Sequence, residues 1–257
     1  MNPLTRNFRD LHTQSEPFIV GNAWNAQSAK VMQHAGFKAI ATSSAAVAES
    51  LGYEDGENMP FDDYLFVVKR IRETISVPLS VDLEAGYADS IPGIIDNIEQ
   101  LFDEGVSGLN IEDSSIQHGK RVLADANDFA KKIETIVTKL RSRDIDMFIN
   151  LRCDPFLMHL PDAGKEAIRR IAVYEHTGVD GIFLPNITDP SDIKAAVDST
   201  KLPLNVMAMP GLPEYNILRL AGVKRISLGP FANIAVYKNL ETLATGVASG
   251  KNLSLLF

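Results

Sequence analysis

The sequence is poor in cysteine and in long apolar segments. Its single cysteine, Cys153, excludes an internal disulfide and a zinc site built from several cysteines, which is typical of a reducing compartment. No apolar run approaches the roughly 20 residues of a membrane helix, and the first residues are mixed and polar, unlike a secretory signal. We therefore expect a cytoplasmic protein that does not enter a membrane.

Positive charge is also scarce. The 257 residues contain 25 Lys and Arg against 33 Asp and Glu, a formal net charge of −8, so the chain lacks the basic surface typical of nucleic-acid binding. Also absent are a glycine-rich dinucleotide fingerprint, a phosphate loop, a GxSxG elbow and a histidine-rich zinc pattern. The composition is that of a globular protein whose chemistry comes from other groups.

Short apolar runs alternate with longer amphipathic stretches along the whole chain. Each run is almost continuously apolar, as expected for parallel strands that are covered on both faces. The predicted strands are residues 18–20, 39–43, 79–84, 108–112, 147–152, 181–185, 204–209 and 225–229. The predicted helices are residues 26–35, 61–75, 91–104, 127–143, 163–177, 190–199, 213–221 and 231–243.

One peptide pattern recurs before several strands, as HAGFKAIATS, DEGVSGLNIED, HTGVDGIFLP and LAGVKRISLG. In each copy a glycine closes a helix and a few residues lead into a strand, which favours repeated αβ units. Eight such units in about 250 residues predict an α/β fold of the (β/α)8 TIM barrel type, as a single domain over residues 1–257. A doubly wound open sheet is the alternative, but eight consecutive units leave no room for a second domain.

Acidic residues inside an apolar strand are the main anomaly. Functional groups of a parallel barrel lie where the strands end and in the loops that follow. Asp82 and Glu84 are two residues apart, so a strand would place them on one face, where two buried carboxylates repel each other unless a cation is present. Glu112 and Asp55 would bring up to four carboxylates to one mouth, a set that suits Mg²⁺. Alternatively, these groups are surface carboxylates or partners of Lys and Arg.

Three further residues are candidates for chemistry. Arg152 stands in the apolar strand FINLRCD and would bind a carboxylate or phosphoryl group with its planar fork, or else pair with a carboxylate of a neighbouring strand. Lys120 would close over the site with its loop and supply an acid or base, although a solvated basic loop explains it equally well. Trp24 would line the pocket, or alternatively it would only pack in the hydrophobic core.

The sequence resembles the isocitrate lyase / phosphoenolpyruvate mutase superfamily over roughly residues 18–243. The resemblance is carried by NAWNAQSAKVMQHAGFKAIATSSAAVAESLGYEDGE, SVDLEAGYAD, GLNIEDS and INLRCDPFL. It implies a modified barrel whose last helix is exchanged with a neighbouring subunit in a dimer of dimers, so that residues 231–257 lie at an interface. It also implies Mg²⁺ and a 2-oxo acid or its enolpyruvate form as ligands.

The resemblance assigns a role to each matching residue. It makes Asp82 the direct metal ligand, with Asp55, Glu84 and Glu112 holding metal-bound waters. The predicted substrate-binding residues are Ser43, Ser44, Ala45 and Arg152, together with Trp24 and Asp82. Asp55, Arg152 and Lys120 form the predicted catalytic set.

Several positions depart from the superfamily pattern. The loop after the fourth strand reads SSIQHGKRVL, without the cysteine of isocitrate and methylisocitrate lyases, and the sixth strand ends FLPN, without the histidine of phosphoenolpyruvate mutases. Asn25 stands where an aspartate is common. The chain is most similar to the carboxyphosphonoenolpyruvate phosphonomutase-like branch, near the oxaloacetate decarboxylases and hydrolases.

The predicted function is therefore an Mg²⁺-dependent lyase. It would cleave a C–C bond in a small 2-oxo or 2-hydroxy acid through an enolpyruvate-like intermediate. One alternative is P–C bond chemistry, as a phosphonomutase or phosphonopyruvate hydrolase on a phosphonate substrate. A second alternative is a catalytically idle barrel that binds a metabolite.

Overall fold

The computed structural model describes residues 2–257 and contains ten strands. They are β1 Phe18–Ala23, β2 Ile40–Thr42, β3 Leu79–Asp82, β4 Gly108–Glu112, β5 Ser114–Gln117, β6 Lys120–Leu123, β7 Phe148–Arg152, β8 Gly181–Leu184, β9 Leu204–Met207 and β10 Arg225–Ser227. Eight of them close into a parallel barrel in the order β1-β10-β9-β8-β7-β4-β3-β2, while β5 and β6 form a separate hairpin. The prediction of a (β/α)8 barrel is confirmed, and each predicted strand falls on a barrel strand.

Ten helices accompany the strands. They are α1 Pro3–Thr13, α2 Ala26–His34, α3 Ser44–Ser50, α4 Phe61–Arg72, α5 Ile91–Asp103, α6 Ala126–Ser142, α7 Ala163–Tyr174, α8 Pro190–Asp198, α9 Tyr215–Ala221 and α10 Phe231–Gly250, followed by a short 3-10 helix, Leu253–Leu256. The eight predicted helices correspond to α2 and α4–α10, with ends that differ by at most three residues, except that α10 continues to Gly250, seven residues beyond its predicted end. Asp189 caps α8 as its position before Pro190 indicates, because its side chain accepts from the backbone N–H of Ser191.

The predicted strand 79–84 is too long. β3 ends at Asp82, and Glu84 has a φ of 50°, in the left-handed region. A turn begins at once, since the N–H of Gly86 donates to the carbonyl of Leu83 over 2.9 Å. Strand alternation therefore stops at Asp82, and the argument that placed Asp82 and Glu84 on one strand face was wrong.

An unpredicted helix, α1, closes the amino-terminal end of the barrel. Asn2 caps it and Pro3 begins it, while Phe8 and Leu11 lie on its buried face. The ring of Phe8 packs edge-on against Phe148 of β7, with ring centroids 5.5 Å apart. Gly108 makes this approach possible, because a Cβ there would lie only 2.9 Å from the Phe8 ring. The floor of the barrel is thus aromatic and closed.

Two more unpredicted elements lie at the opposite, carboxyl-terminal end. Helix α3 starts directly after β2, and the β5–β6 hairpin rises from the end of β4. The hairpin turn is formed by His118 and Gly119, both with positive φ. These elements border the barrel mouth, where the sequence places the candidate carboxylates.

The last helix leaves most of its side chains exposed. Among the side chains of α10, only Asn233 is buried. Its large apolar residues are solvent-exposed, namely Ile234, Val236, Tyr237, Leu240 and Leu243. Within residues 2–257, no helix combines the length and apolar character needed to span a bilayer.

Candidate active site

A cavity of about 170 Å³ opens at the carboxyl ends of the barrel strands. It contains six of the predicted site residues: Ser43, Ser44, Ala45, Asp55, Asp82 and Arg152. Its other lining residues come from the ends of the remaining strands: Asn22, Asn110, Leu157, Phe183, Pro185, Met207, Ser227, Gly229 and Pro230. The strand-end rule therefore predicted the position of the cavity, but it missed three polar residues of the wall, Asn22, Asn110 and Ser227.

Asp82 is held at the mouth by four hydrogen bonds. Its Oδ2 accepts from Ser44 Oγ over 2.9 Å, and its Oδ1 accepts from Asn110 Nδ2 over 3.2 Å. Its backbone N–H donates to Thr42 Oγ1 over 3.0 Å, and its carbonyl accepts from the Tyr64 hydroxyl over 2.9 Å. In residues 2–257, no Lys, Arg or His nitrogen lies within 4.0 Å of its carboxylate. Asp82 is thus a fixed carboxylate held only by neutral donors.

Arg152 stands between two buried carboxylates. Its Nη1 lies 2.6 Å from Oε2 of Glu112, and its Nε donates to Oδ1 of Asp154 over 2.7 Å. Burial would lower the pKa of Arg152, but the charges of Glu112 and Asp154 raise the pKa above its ordinary value. The guanidinium therefore stays charged; its Nη2 also donates to Asp154 Oδ2 over 3.3 Å, and the side chain lines the cavity. The ion pair that the sequence left as an alternative role for Arg152 is present.

Arg121 of the hairpin is a site residue that the sequence reasoning missed. It pairs with Glu112 and donates to Ser114 Oγ over 2.8 Å, and with Arg152 and Asp55 it lines an outer opening of about 500 Å³. The adjacent Lys120, predicted as a catalytic residue, is exposed and lines neither cavity. Strand alternation explains the difference, since neighbouring residues of β6 point to opposite faces of the hairpin.

Glu84 and Glu112 share a second, more polar cavity of about 300 Å³ beside the first. Burial, followed by the negative charges of Asp55 and Glu112, raises the pKa of Glu84 to about 9. Its Oε1 accepts from the Tyr87 hydroxyl over 2.7 Å. Burial also raises the pKa of Glu112, against the opposing charges of Arg152 and Arg121. Negative charge is therefore disfavoured at this end of the barrel when no cation is bound.

The four predicted metal carboxylates do not form one coordination group. Asp55 and Asp82 line the first cavity, whereas Glu84 and Glu112 line the second. In the part of the chain that the structure describes, no three His, Cys, Asp or Glu side chains are grouped closely enough to hold a metal ion. The first cavity therefore offers two carboxylates, Asp55 and Asp82, and such hard oxygen donors, with waters completing the shell, fit Mg²⁺.

Trp24 does not reach the cavity. It is buried in the hydrophobic core, with 6% of its surface exposed, and its backbone N–H donates to Ser28 Oγ. Asn25 and Ser28 form a reciprocal capping box that starts α2 immediately after Trp24. The packing role that the sequence left open for Trp24 is the one observed.

Comparison with known proteins agrees with the barrel fold. The model of the phosphoenolpyruvate phosphomutase family matches residues 8–248. An uncharacterized protein of Mycobacterium tuberculosis is 32% identical over 247 residues, covering 96% of this chain and 91% of the relative. The 2-methylisocitrate lyase of Escherichia coli is 30% identical over 203 residues, covering 77% of this chain and 67% of the enzyme.

Solved structures give the same relationship. A crystal structure of a phosphonomutase-type protein from Burkholderia cenocepacia superposes with a TM-score of 0.88 at 34% identity, covering 95% of this chain and all of the other. Phosphonopyruvate hydrolase, solved with oxalate and Mg²⁺, gives a TM-score of 0.85 at 25% identity, covering 97% of this chain and 88% of the other. Since the family model spans nearly the whole chain, this protein belongs to the phosphoenolpyruvate phosphomutase family of the isocitrate lyase/PEP mutase superfamily of enzymes.

Proposed function

We propose that the protein is an Mg²⁺-dependent lyase that cleaves a C–C bond in a small 2-oxo or 2-hydroxy acid. The observation that carries the proposal is the position of Asp82 in a small cavity beside Arg152, without a cationic partner of its own. Glu112 and Asp154 are already paired with arginines, whereas Asp82, Asp55 and Glu84 still lack a counter-charge, and of these three Asp82 is the one that neutral hydrogen bonds hold in the cavity. A divalent cation supplies that charge.

Some residues of the cavity would bind the metal ion and others would bind the substrate. Bound Mg²⁺ would supply positive charge to an oxyanion that forms on the substrate, which is the demand shared by enolate-forming reactions. Asp55, Glu84 and Glu112 would hold the waters around the ion. Arg152 would bind the anionic end of the substrate with the N–H groups that Glu112 and Asp154 leave unused. Ser43, Ser44 and Ala45 form the wall against which the substrate carboxylate would lie, while the Ser44 hydroxyl itself donates to Asp82.

P–C bond chemistry is the second candidate, and one observation favours it. Arg121 and Arg152 both line the outer opening, so two guanidiniums face the space that a distal substrate group would occupy. A phosphonate carries more negative charge than a carboxylate and suits two arginines better. The similarity to phosphonopyruvate hydrolase and to a phosphonomutase-type structure supports the same candidate.

Thermal unfolding with Mg²⁺ and oxalate tests the shared part of both candidates. Oxalate mimics the pyruvate enolate, so Mg²⁺ and oxalate together should raise the Tm of the wild type. Asp82→Ala should abolish the shift, while Asp198→Ala, which removes an exposed carboxylate on α8, should leave it intact. Equal shifts in both variants would remove the metal assignment, and no shift in the wild type would favour an idle barrel.

A substrate panel then separates the two chemistries. We expect turnover of oxaloacetate or of 2-methylmalate-type acids, followed through the release of pyruvate or of another 2-oxo acid. Turnover of phosphonopyruvate alone would replace the lyase proposal by the P–C alternative. The same assays with Mn²⁺ would establish which divalent ion the enzyme uses.

We also propose a homo-oligomer, a dimer of dimers, in which α10 docks on a neighbouring subunit. Besides α10 itself, the helices that follow β1 and β9 carry exposed apolar residues, with Val31 of α2 57% exposed and Leu220 of α9 73% exposed. A helix from a second copy would cover these residues, because α10, the helix that follows β10, does not pack extensively against α2 or α9 of its own chain. Light scattering tests this: Leu240→Glu should shift the particle to a smaller species, and Lys238→Glu on the same helix should not. An unchanged mass for Leu240→Glu would contradict the interface.

A further inference from the structure

Three buried asparagines cross the interior of the barrel beneath Asp82. They are Asn110 of β4, Asn150 of β7 and Asn205 of β9, with exposures of 5%, 1% and 1%. Buried amides need partners for every donor and acceptor, so a row of them inside an apolar barrel is costly unless its bonds are complete. We call this set the asparagine row.

The row is continuous with the carboxylate of Asp82. Asn150 Nδ2 donates to Asn110 Oδ1 over 2.9 Å and to Asn205 Oδ1 over 3.1 Å. Asn110 Nδ2 in turn donates to Asp82 Oδ1 over 3.2 Å. Asn110 also lines the cavity, whereas Asn150 and Asn205 do not. Two residues that do not reach the substrate space are thus bonded to the candidate metal ligand through a third.

The backbone of β9 and β10 fixes the direction of every bond in the row. Asn205 Nδ2 donates to the carbonyls of Val206, over 2.7 Å, and Arg225, over 3.2 Å. Carbonyls only accept, so the oxygen of the Asn205 amide must face Asn150, which must then present its NH₂ group. Asn150 therefore also presents a donor to Asn110. This turns the Asn110 oxygen toward Asn150 and the Asn110 NH₂ group toward Asp82.

A glycine makes room for the central amide. A Cβ added to Gly181 of β8 would lie 2.9 Å from Asn150 Oδ1, closer than such atoms approach. A side chain at residue 181 would therefore push the Asn150 amide out of line. The absence of a side chain at Gly181 of β8 therefore leaves the space that the Asn150 amide occupies.

We propose that the asparagine row is a positioning device that sets the orientation of the Asp82 carboxylate for a divalent cation. This inference rests on the proposed function. An amide row holds the carboxylate without adding charge, whereas an arginine or lysine in its place would repel the cation. Without Asn150, the Asn110 oxygen loses its donor and the Asn110 side chain is held only by its bond to Asp82, so the position of that bond is no longer fixed from below. Asn150 and Asn205 are thus positioning residues and not catalytic ones.

The test is calorimetric titration of the protein with Mg²⁺ alone, without substrate. Asn150→Leu keeps the approximate volume and removes both donors, and we expect the dissociation constant for Mg²⁺ to rise about tenfold, or about 1.4 kcal/mol. Leu151→Ala is the matched control, because it alters the next residue of β7, whose side chain belongs to the core between barrel and helices. Leu151→Ala should lower the Tm, and it should leave the dissociation constant for Mg²⁺ within about twofold of the wild-type value.

A second variant and a second readout make each outcome decisive. Asn150→Ser keeps one donor on a side chain too short to bond both neighbours, and an intermediate affinity is expected. Wild-type affinity in both Asn150 variants, or failure of both to fold under conditions in which Leu151→Ala folds, overturns the positioning role. If the wild type itself does not bind Mg²⁺, the proposed function fails. In that case the row is judged by the crystal structure of Asn150→Leu, where unchanged positions of the Asn110 and Asp82 side chains overturn it and a displaced Asn110 or Asp82 side chain supports it.

Discussion

Glu112 and Arg152 are register partners on neighbouring strands, and their side chains meet at the barrel mouth with Nη1 of Arg152 2.6 Å from Oε2 of Glu112. Only 3% of the surface of Glu112 is exposed, so little water screens the pair. Because Asp154 occupies Nε of the same guanidinium, the orientation of Arg152 is set before any ligand arrives. A pre-oriented planar fork is what recognition of a carboxylate or phosphonate requires.

Arg152→Lys should therefore weaken the binding of an anionic ligand more than the binding of Mg²⁺. Lysine keeps the charge but cannot bond Glu112, Asp154 and a ligand through one rigid plane. We expect the dissociation constant of oxalate, measured by calorimetry at saturating Mg²⁺, to rise by roughly 10-fold to 100-fold, as for the loss of one charge-assisted hydrogen bond of about 1.5–3 kcal/mol. The Mg²⁺ affinity measured without oxalate is the control. An oxalate affinity equal to that of the wild type would contradict the assigned role.

Arg121→Gln and Lys120→Gln should have opposite outcomes, although the two residues are adjacent. Arg121 lines the outer opening and contacts Glu112, whereas Lys120 is exposed on the other face of the hairpin. For the substrate found in the panel, we expect Arg121→Gln to raise KM at least about fivefold, equal to about 1 kcal/mol, and Lys120→Gln to leave KM and kcat near wild type. Steady-state kinetics measure both. A larger effect of Lys120→Gln would restore that residue to the catalytic set.

The sequence alone was sufficient to predict the barrel fold and to identify several of the polar residues at the ends of its strands. Apolar runs and glycine-terminated helices predicted eight αβ units, and acidic residues at the ends of two runs identified Asp82 and Glu112. These features are local in sequence, so a single chain displays them. The same reasoning located Arg152 because a guanidinium in an apolar strand is rare.

Contacts between distant segments were beyond that reasoning. Arg121 reaches Glu112 only because a hairpin folds back over β4, and that hairpin has no strong turn signal besides Gly119. Bonds among Asn110, Asn150 and Asn205 depend on barrel closure, which brings three separate strands together. Helix α1, in contrast, has a signal that is local in the sequence, since Asn2 precedes Pro3 as a cap and Phe8 begins an i, i+3, i+4 pattern.

Arg225→Met should stabilise the protein. Arg225 is fully buried in the floor of the barrel, and among residues 2–257 none of its three guanidinium nitrogens has a hydrogen-bond partner. Its guanidinium lies 5.6 Å from the centroid of the Phe8 ring, and burial lowers its pKa to about 10 despite the opposing charge of Asp82. Methionine has similar reach and needs no partner, so the free energy of unfolding should rise by roughly 1–3 kcal/mol.

Urea unfolding at pH 7 measures this change. Arg219→Met on α9 is the control, because Arg219 is 35% exposed and its replacement should change stability by less than about 0.5 kcal/mol. A loss of stability in Arg225→Met would mean that water or an anion satisfies the guanidinium inside the barrel.

His12 should make the fold less stable as the pH falls below its ordinary pKa. The ring stacks on Phe148 with centroids 3.9 Å apart, and its Nδ1 donates to the carbonyl of Phe8 over 2.8 Å. Burial, with the nearby charge of Arg225, lowers the pKa of His12 from 6.5 to about 3. Between these two values the unfolded chain binds a proton that the folded chain does not, so stability is complete above pH 6.5 and declines toward pH 3. The slope approaches about 1.4 kcal/mol per pH unit.

Denaturant unfolding from pH 4.5 to 7.5 measures this slope, and His12→Phe isolates the contribution of the imidazole. Phenylalanine keeps the aromatic packing but cannot be protonated, so the variant should lose less stability over this range than the wild type. His176→Phe is the control, because His176 has an 80% exposed side chain and its replacement should leave the slope unchanged. Parallel curves for wild type and His12→Phe would show that the imidazole is protonated equally in the folded and unfolded chains. In that case the aromatic floor of the barrel would accept a charged ring, and the argument from burial would fail at this site.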